Sequence, residues 1–403
     1  MTPVVDVAII GGGIIGLATA WRMTEIFPGL GVTVLEKENL VAAHQSGRNS
    51  GVIHSGIYYR PGSSRSRHCV DGGRRMKTFC DEHGIALETC GKVVVATDER
   101  ELPMLEELHQ RGSRNGVPGL DLIGPEQLHE IEPHARGLRA LHVPGAAITD
   151  YAAVARKLAD LATAKGGEVR LGERVSKITH DDHATIVQSS SGELRTRYLI
   201  NCGGLHADRL ARLASATPDL TILPFRGEYH ELVPERRDLV RGMIYPVPDP
   251  QLPFLGIHLT RRIDGRVEAG PNAVLAMHRE GYGWSRFSFR DIAEAIGTPG
   301  FWRMARRHWR TGWHEVYRSL SRRAFAKSCR ELVPEISTRD LRASNAGVRA
   351  QCLASNGSLM DDFALTESPR ALHVLNAPSP AATSSLSIAD EIVERASAAM
   401  GIG

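Results

Sequence analysis

Three glycines, Gly11, Gly13 and Gly16, fall in the run Gly11-Gly12-Gly13-Ile14-Ile15-Gly16, which carries the G-x-G-x-x-G spacing. That spacing suits a pyrophosphate. Gly11 permits a tight turn, Gly13 lets backbone approach phosphate oxygens, and Gly16 lets a helix pack closely on a strand. The start of the helix that follows offers unpaired N–H groups and a positive dipole end to the phosphates, and Ile14 and Ile15, between the glycines, are expected at the cofactor. Glu36 stands 20 residues beyond Gly16. Its carboxylate can accept hydrogen bonds from ribose hydroxyls, and its charge would repel a 2′-phosphate. With the adjoining Lys37 it completes a dinucleotide signature, open at this point to FAD or NAD.

The elements that must position these residues appear in order. Val4 to Ile10 reads as a buried β-branched strand, Leu17 to Met23 as a helix, and Val32 to Leu35 as a second strand. After Glu36 a nicotinamide enzyme usually runs into another helix and strand. Here the chain enters a long polar, glycine-rich loop, His44 to Tyr59, that must follow an extended ligand. This favours FAD, with Gln45, Ser46, Asn49, Ser50 and Gly51 along it.

Composition narrows the class. The 403 residues carry 49 Lys and Arg against 46 Asp and Glu, so nothing in the whole-chain charge argues for nucleic acid. The hydrophobic share of 42% is that of an ordinary globule long enough for two or three domains. The six cysteines, Cys69, Cys80, Cys90, Cys202, Cys329 and Cys352, form no C-x-x-C pair and read as buried thiols of a reducing compartment. No secretory signal and no apolar run of about 20 residues is apparent, so a cytoplasmic location without a spanning helix is expected.

Longer stretches carry a resemblance. NSGVIHSGIYYRPGS (Asn49–Ser63), PFRGEY (Pro224–Tyr229), IYPVPDPQLPFLGIHLTRRIDG (Ile244–Gly265), GPNAVLA (Gly270–Ala276), AGVRAQ (Ala346–Gln351) and NAPSPAATSS (Asn376–Ser385) lie in order along the chain. Together with the glycine run they resemble the D-amino-acid-oxidase-like FAD oxidoreductases and, within them, the L-2-hydroxyglutarate dehydrogenases and oxidases. The resemblance implies an α/β fold: a Rossmann-like FAD-binding domain (1–85, 145–218 and 335–403) interleaved with an α+β substrate domain built on an antiparallel sheet (86–144 and 219–334). It implies that Val175 lies by the adenine, that Cys202, Gly203 and Gly204 touch the cofactor, and that Pro378, Ser379, Pro380, Ala381, Ala382 and Thr383 lie by the flavin's pyrimidine end. A helix start there would meet the negative charge that grows on reduction; a proline-set helix cap is the plainer account.

The patterns agree with such a layout. Ala152 to Ala164 is periodic as a helix; Glu168–Leu171, Thr185–Gln188, Tyr198–Cys202 and Leu372–Leu375 read as strands, and Ile388–Met400 as a closing helix. Short alternating strands are expected at Ile222–Leu223 and, between Pro224 and Gly347, at Tyr229–Val233, Met243–Val247, Leu255–Leu259 and Arg266–Ala269.

The family's reaction is hydride transfer from a 2-hydroxy acid to the flavin, which asks the protein for one base and a grip on carboxylates. Histidine suits the base. His54 is the first candidate, because its loop resembles the flavin-facing loop, and His258 in GIHLTR is the second. A histidine serving only as a structural hydrogen-bonding group is the competing account for either. The implied substrate is a small dicarboxylate, which arginine can pair bidentately. Arg226, Arg261 and Arg349 are the candidate arginines, with Tyr58, Tyr59, Tyr229 and Lys92 as further donors and Asn272 as a contact or a turn cap. No metal site is expected. Electrons would pass on to a quinone or oxygen.

One stretch departs from the family pattern. Trp284, Trp302, Trp309 and Trp313 fall in an Arg-rich segment whose only acids are Asp291, Glu294 and Glu315. Near 300–325, Trp302, Ala305, Trp309, Trp313, Val316 and Leu320 recur at helical spacing, with Arg303, Arg306, Arg307 and Arg310 elsewhere on the helix. Such a basic amphipathic helix suits an anionic membrane surface, placing the protein peripherally on the inner face of the cell membrane. Packing of that face on the protein itself is the alternative. Two other functions fit the same motifs: an amino-acid or sarcosine-like flavin oxidase, and a redox-inert flavin-binding scaffold at membranes.

Overall fold

The structure, a computed structural model, describes residues 4–249 and 255–402. The middle of the Ile244–Gly265 stretch, 250–254, lies outside the described residues. Among the described residues the strands form three sheets.

The first sheet is built on Val4–Ile10, which pairs in parallel with Val32–Leu35 on one side and Gly192–Asn201 on the other. Glu168–Arg170 extends it beyond Val32–Leu35, also in parallel. The strand VVDVAII is apolar on both faces because both are covered. Val7 and Ile9 pack under the helices Ile14–Ile26, Tyr151–Ala164 and Ser385–Met400. Ala8 and Ile10 pack on the opposite face with Leu199, Val187 and Leu210. The last strand, Ala371–Asn376, joins in parallel beside the end of Gly192–Asn201.

The second sheet has nine strands and is mainly antiparallel. Its spine is the ribbon of Leu220–Leu232 and Leu341–Ala354, paired from Leu220↔Ala354 to Leu232↔Leu341 with an irregularity between Glu228 and His230. The strands expected at Ile222–Leu223 and Tyr229–Val233 are joined into one, through Pro224. One missing N–H removes a single ladder donor without changing the extended backbone. The second half of the ribbon comes from far along the chain. Its pairing with Leu220–Leu232 over its whole length places it in the second sheet. The strand expected from Leu255 begins only at His258 and ends at Arg261. A small third sheet, Val52–Ile53, Ala147–Thr149 and Leu87–Glu88, lies on the loop that follows Glu36.

The basic segment is helical in three pieces, Phe289–Ile296, Pro299–Leu320 and Arg322–Leu332. The third is anchored by Phe325, Cys329 and Leu332 in the core of the second sheet. The second bends at His308 and buries only Gly300 and Met304. Gly300 is seated so tightly that a Cβ there would lie 2.5 Å from the Ala354 carbonyl. Trp302, Trp309, Trp313 and Leu320 are 54%, 57%, 69% and 70% exposed, so the apolar face is turned outward and not into the protein's own core. No helix among the described residues is long and apolar enough to cross a membrane.

Candidate active site

The turn after Val4–Ile10 is shaped by glycine for steric reasons. Gly11 has φ +115°, and a Cβ on it would lie 2.4 Å from the Cys202 carbonyl oxygen. A Cβ on Gly16 would lie 2.1 Å from the Gly11 carbonyl oxygen, so the helix can approach the strand only as glycine. Gly13 caps that helix without a side-chain bond. The Ile14 amide donates to Ser46 Oγ at 2.9 Å, bringing the polar loop onto the turn.

Glu36, at the end of the second strand, accepts from the Gly12 amide at 2.7 Å through Oε2 and from the Glu38 amide at 2.9 Å through Oε1. Its carboxylate is thus fixed by backbone at the cavity wall, with lone pairs to spare for hydroxyl donors. Lys37 also lines the cavity, beside Glu36. Its ammonium pairs with Glu38, with Glu280 at 2.8 Å and with His44 at 2.8 Å, bridging to the segment after Gly270. Glu38, His44 and Glu280 could together hold a metal ion, but Lys37 already supplies positive charge among them.

From this turn a cavity of about 1080 Å³ runs between the first two sheets. Glu36 and Val175 line it at the nucleotide end, with Cys202, Gly203 and Gly204 beside the turn. Gln45, Ser46, Asn49 and Ser50 line it from the loop, and Pro378 to Thr383 from the C-terminal turn. Asn49 also builds its own turn, donating to the Gln45 and Ser46 carbonyls and accepting from the Gly51 amide. Gly51 and Gly16 do not line the cavity. Gly51 has φ +74° and backs onto the Thr149 carbonyl. The long cavity and the glycine cradle that any Cβ would fill both fit an extended dinucleotide.

At the other end stand both candidate histidines. The His54 amide donates to Thr383 Oγ1 at 3.1 Å, tying the loop to the C-terminal turn. Its Nδ1 is buried with no hydrogen-bond partner among the described residues. The helix Ser64–Glu82 reaches this junction through Gly72 and Gly73; a Cβ on Gly72 would lie 2.7 Å from Ser384 Cα. His258 stacks on Tyr245 at 4.0 Å between ring centres, with Nδ1 3.1 Å from the Gly256 carbonyl. Burial pushes both imidazoles down to about 3, aided at His54 first by the Lys92 charge and at His258 by Arg349 and Lys92. Both are therefore neutral near pH 7 and, at that value, weak proton acceptors.

Cations and phenols surround them. Arg349 lines the cavity beside Tyr229. Tyr58 and Tyr59 line it too, and burial raises their phenols, so they are donors at any working pH. Arg65 and Tyr245, which the sequence reading did not single out, also line it. Arg65 lies 4.5 Å over the Tyr59 ring and donates to the Ser379 and Asp361 carbonyls. Tyr245 belongs to a quoted stretch and could have been chosen from it, whereas nothing in the sequence marks Arg65.

Four candidates do not line the cavity: Arg226, Asn272, Arg261 and Lys92, which is buried with its Nζ 4.8 Å from the Tyr58 ring centre. Arg226, only 2% exposed, pairs with Glu228 at 3.0 Å and lies 4.4 Å over the Trp284 ring. Asn272 accepts from the Glu228 amide at 2.7 Å and donates to Glu228 Oε2 at 3.0 Å. Arg261 pairs with Glu88 at 3.2 Å near the surface. For Arg226 the reason is strand alternation: Gly227 and Tyr229 face the cavity, so Arg226 and Glu228 face the other side.

The matching family model, "FAD dependent oxidoreductase", spans residues 6–395. The L-2-hydroxyglutarate dehydrogenase of Indibacter alkaliphilus is 48% identical over 390 residues, 96% of this chain and 98% of its own length. The L-2-hydroxyglutarate dehydrogenase of Escherichia coli K12 is 42% identical, covering 97% of this chain and 92% of its own. The mitochondrial enzyme of Homo sapiens with that name is also 42% identical, covering 97% and 89%. Among solved structures, an L-alpha-glycerophosphate oxidase from Mycoplasma pneumoniae with FAD bound superposes with a TM-score of 0.80 at 23% identity, covering 98% of this chain and 95% of its own. A glycine oxidase from Geobacillus kaustophilus gives 0.71 at 17%, covering 97% and 94%. With a glycine-cradled dinucleotide cavity and a cationic, histidine-bearing end on one continuous fold, the chain belongs to the FAD dependent oxidoreductase family and, within it, to the L-2-hydroxyglutarate dehydrogenases.

Proposed function

We propose that the protein oxidises L-2-hydroxyglutarate to 2-oxoglutarate with FAD and passes the electrons to a quinone or oxygen. The observation that carries this is the meeting of two histidines with Arg349 and tyrosine donors at one end of the dinucleotide cavity. Bound FAD supplies the two-electron acceptor for the hydride that leaves C2. Gly11, Gly13, Glu36, Ser46, Gly203, Gly204 and the turn Pro378–Thr383 would hold it. Arg349 would bind one substrate carboxylate, with Tyr58, Tyr59 and Tyr229 donating hydrogen bonds. A neutral imidazole, His54 first and His258 second, would take the hydroxyl proton. The arriving carboxylates cancel part of the local positive field, so basicity rises at the moment it is needed. The nucleotide-holding body would comprise 1–85, 145–218 and 355–403, and the substrate body 86–144 and 219–354.

We also propose that the Trp302–Leu320 face rests on an anionic membrane, beside Arg303, Arg306, Arg307 and Arg310. Its exposure supports this, because a face packed on its own core would be buried.

Anaerobic addition of substrate to the purified yellow protein tests the reaction. Bleaching by L-2-hydroxyglutarate, and not by its D-enantiomer or by amino acids, is the expected result. Bleaching by amino acids would favour an oxidase of that class. A protein that binds FAD and bleaches with nothing would be the inert scaffold.

A further inference from the structure

The loop between Val274–Leu275 and Phe289–Ile296 leaves the second sheet and reaches residues that follow strands of the first. Its root is fixed. Arg279, 1% exposed, pairs with Asp208 and donates to the Leu205 carbonyl at 2.6 Å, and its amide donates to Asp291 Oδ2 at 2.7 Å. Breaking a buried pair of this kind is strongly unfavourable, so the root stays in place. The tip is held differently. Glu280 Oε1 lies 2.8 Å from Lys37 Nζ, 2.8 Å from His206 Nε2 and 3.7 Å from His44 Nε2. The Tyr282 hydroxyl meets His44 Nδ1 at 2.6 Å, and Arg48 lies 4.1 Å over the Tyr282 ring. Lys37 and His44 follow the strand Val32–Leu35, and His206 follows Gly192–Asn201. One carboxylate from the second sheet's side thus gathers three partners from the first's. Lys37, His44, Arg48, His206 and Glu280 all line the cavity. The Glu280 side chain is 20% exposed and its partners similarly so, which places these contacts at the cavity's rim.

We propose that loop 278–284 is a clasp across the nucleotide end of the cavity, that Glu280 is its hub, and that its opening sets how fast FAD leaves. Partly exposed ion pairs contribute little to folding, so holding the fold together is a poor use of this hub. What its contacts do is join the two walls between which an extended ligand must pass. They also break more easily than the buried Arg279–Asp208 pair, so the tip opens while the root returns it to the same place. Burial alone would raise the Glu280 carboxyl, but His206 and Lys37 hold it well below the usual carboxylate range, so the hub stays charged. The clasp acts on the cofactor alone and is independent of which donor the flavin oxidises.

The test follows FAD release and needs no substrate. FAD-loaded protein is diluted, and the flavin appearing in an ultrafiltrate is measured with time for wild type, E280Q, E280A, Y282F and E231Q. E280Q and E280A should release FAD about 10-fold faster, the effect of losing charge-assisted hydrogen bonds at one carboxylate. Y282F removes one hydroxyl contact and should release it about 3-fold faster. Glu231 is the matched control: it is 22% exposed and pairs with Arg237 at 2.5 Å, away from the cavity. E231Q should release FAD at the wild-type rate. Y282F, the mildest change, keeps the test open if a Glu280 variant fails to fold. Wild-type release in the folded Glu280 variants and in Y282F would overturn the proposal. So would faster release in E231Q equal to that in E280Q, because the rate would then report general loosening of the fold. Faster release in a protein that L-2-hydroxyglutarate does not reduce would sustain the clasp and overturn the substrate reading alone.

Discussion

At the scale of single residues, the active end illustrates how position decides the use of one chemistry. Arg226, Arg261 and Arg349 carry the same guanidinium. Arg226 is spent on Glu228 and Trp284, and Arg261 on Glu88 and the Arg241 carbonyl. Only Arg349 of the three lines the cavity. Charge-assisted hydrogen bonds to a carboxylate contribute about 1.5–3 kcal/mol, so R349A should lower kcat/KM for L-2-hydroxyglutarate by about 10- to 150-fold. R261A removes a half-exposed ion pair and should stay within about two-fold of wild type. Steady-state kinetics on both variants decide the matter; equal effects would remove Arg349 from substrate binding.

At the scale of elements, two features were legible beforehand. The glycine turn was readable because steric exclusion at Gly11 and Gly16 acts within a few residues or against the next parallel strand. The helix Pro299–Leu320 was readable because amphipathic spacing is local, although the bend at His308 was not. Which way its apolar face points was beyond reach, since that depends on Gly300 docking against Ala354. With the face outward, the helix should bind vesicles of anionic lipid at low salt and release them as salt screens the arginines. Changing Trp302, Trp309 and Trp313 together to Ser should abolish flotation with the vesicles. Turnover with a soluble acceptor should remain within about two-fold. Wild-type protein that does not float at low salt would end the membrane proposal.

At the scale of the whole molecule, the cavity lies between two sheets whose strands interleave along the chain. Enclosing histidines there ties folding to pH. His54 and His258 are pushed down to about 3, and His373, also buried, to about 4. In the unfolded chain each titrates near the ordinary value of about 6.5. Between these values the unfolded state binds protons that the native state refuses, so stability is full above about pH 6.5 and is lost as pH falls toward the native values. Each such histidine should contribute about 1.4 kcal/mol of loss per pH unit across that window. Urea unfolding of the FAD-loaded protein at pH 7, 6 and 5 should show the decline, and a flat profile would mean that the three imidazoles are solvated.

The chain's sequence by itself determined the local parts: the glycine turn, the acid that closes the second strand, the alternating ribbons and the basic helix. Those rest on sterics and periodicity within short reach of each residue. Tertiary structure alone decided which face of each strand meets the cavity, and so turned Arg226 and Arg261 away from it while bringing in Tyr245; it also bonded the loop residue Asn272 to Glu228 and brought Arg65 in from a helix. It also moved Leu341–Ala354 into the second sheet by pairing it with a strand more than a hundred residues earlier. The physical reason is the two-residue period of a strand: a register set by distant partners chooses between two opposite faces, and nothing local to the sequence favours either one.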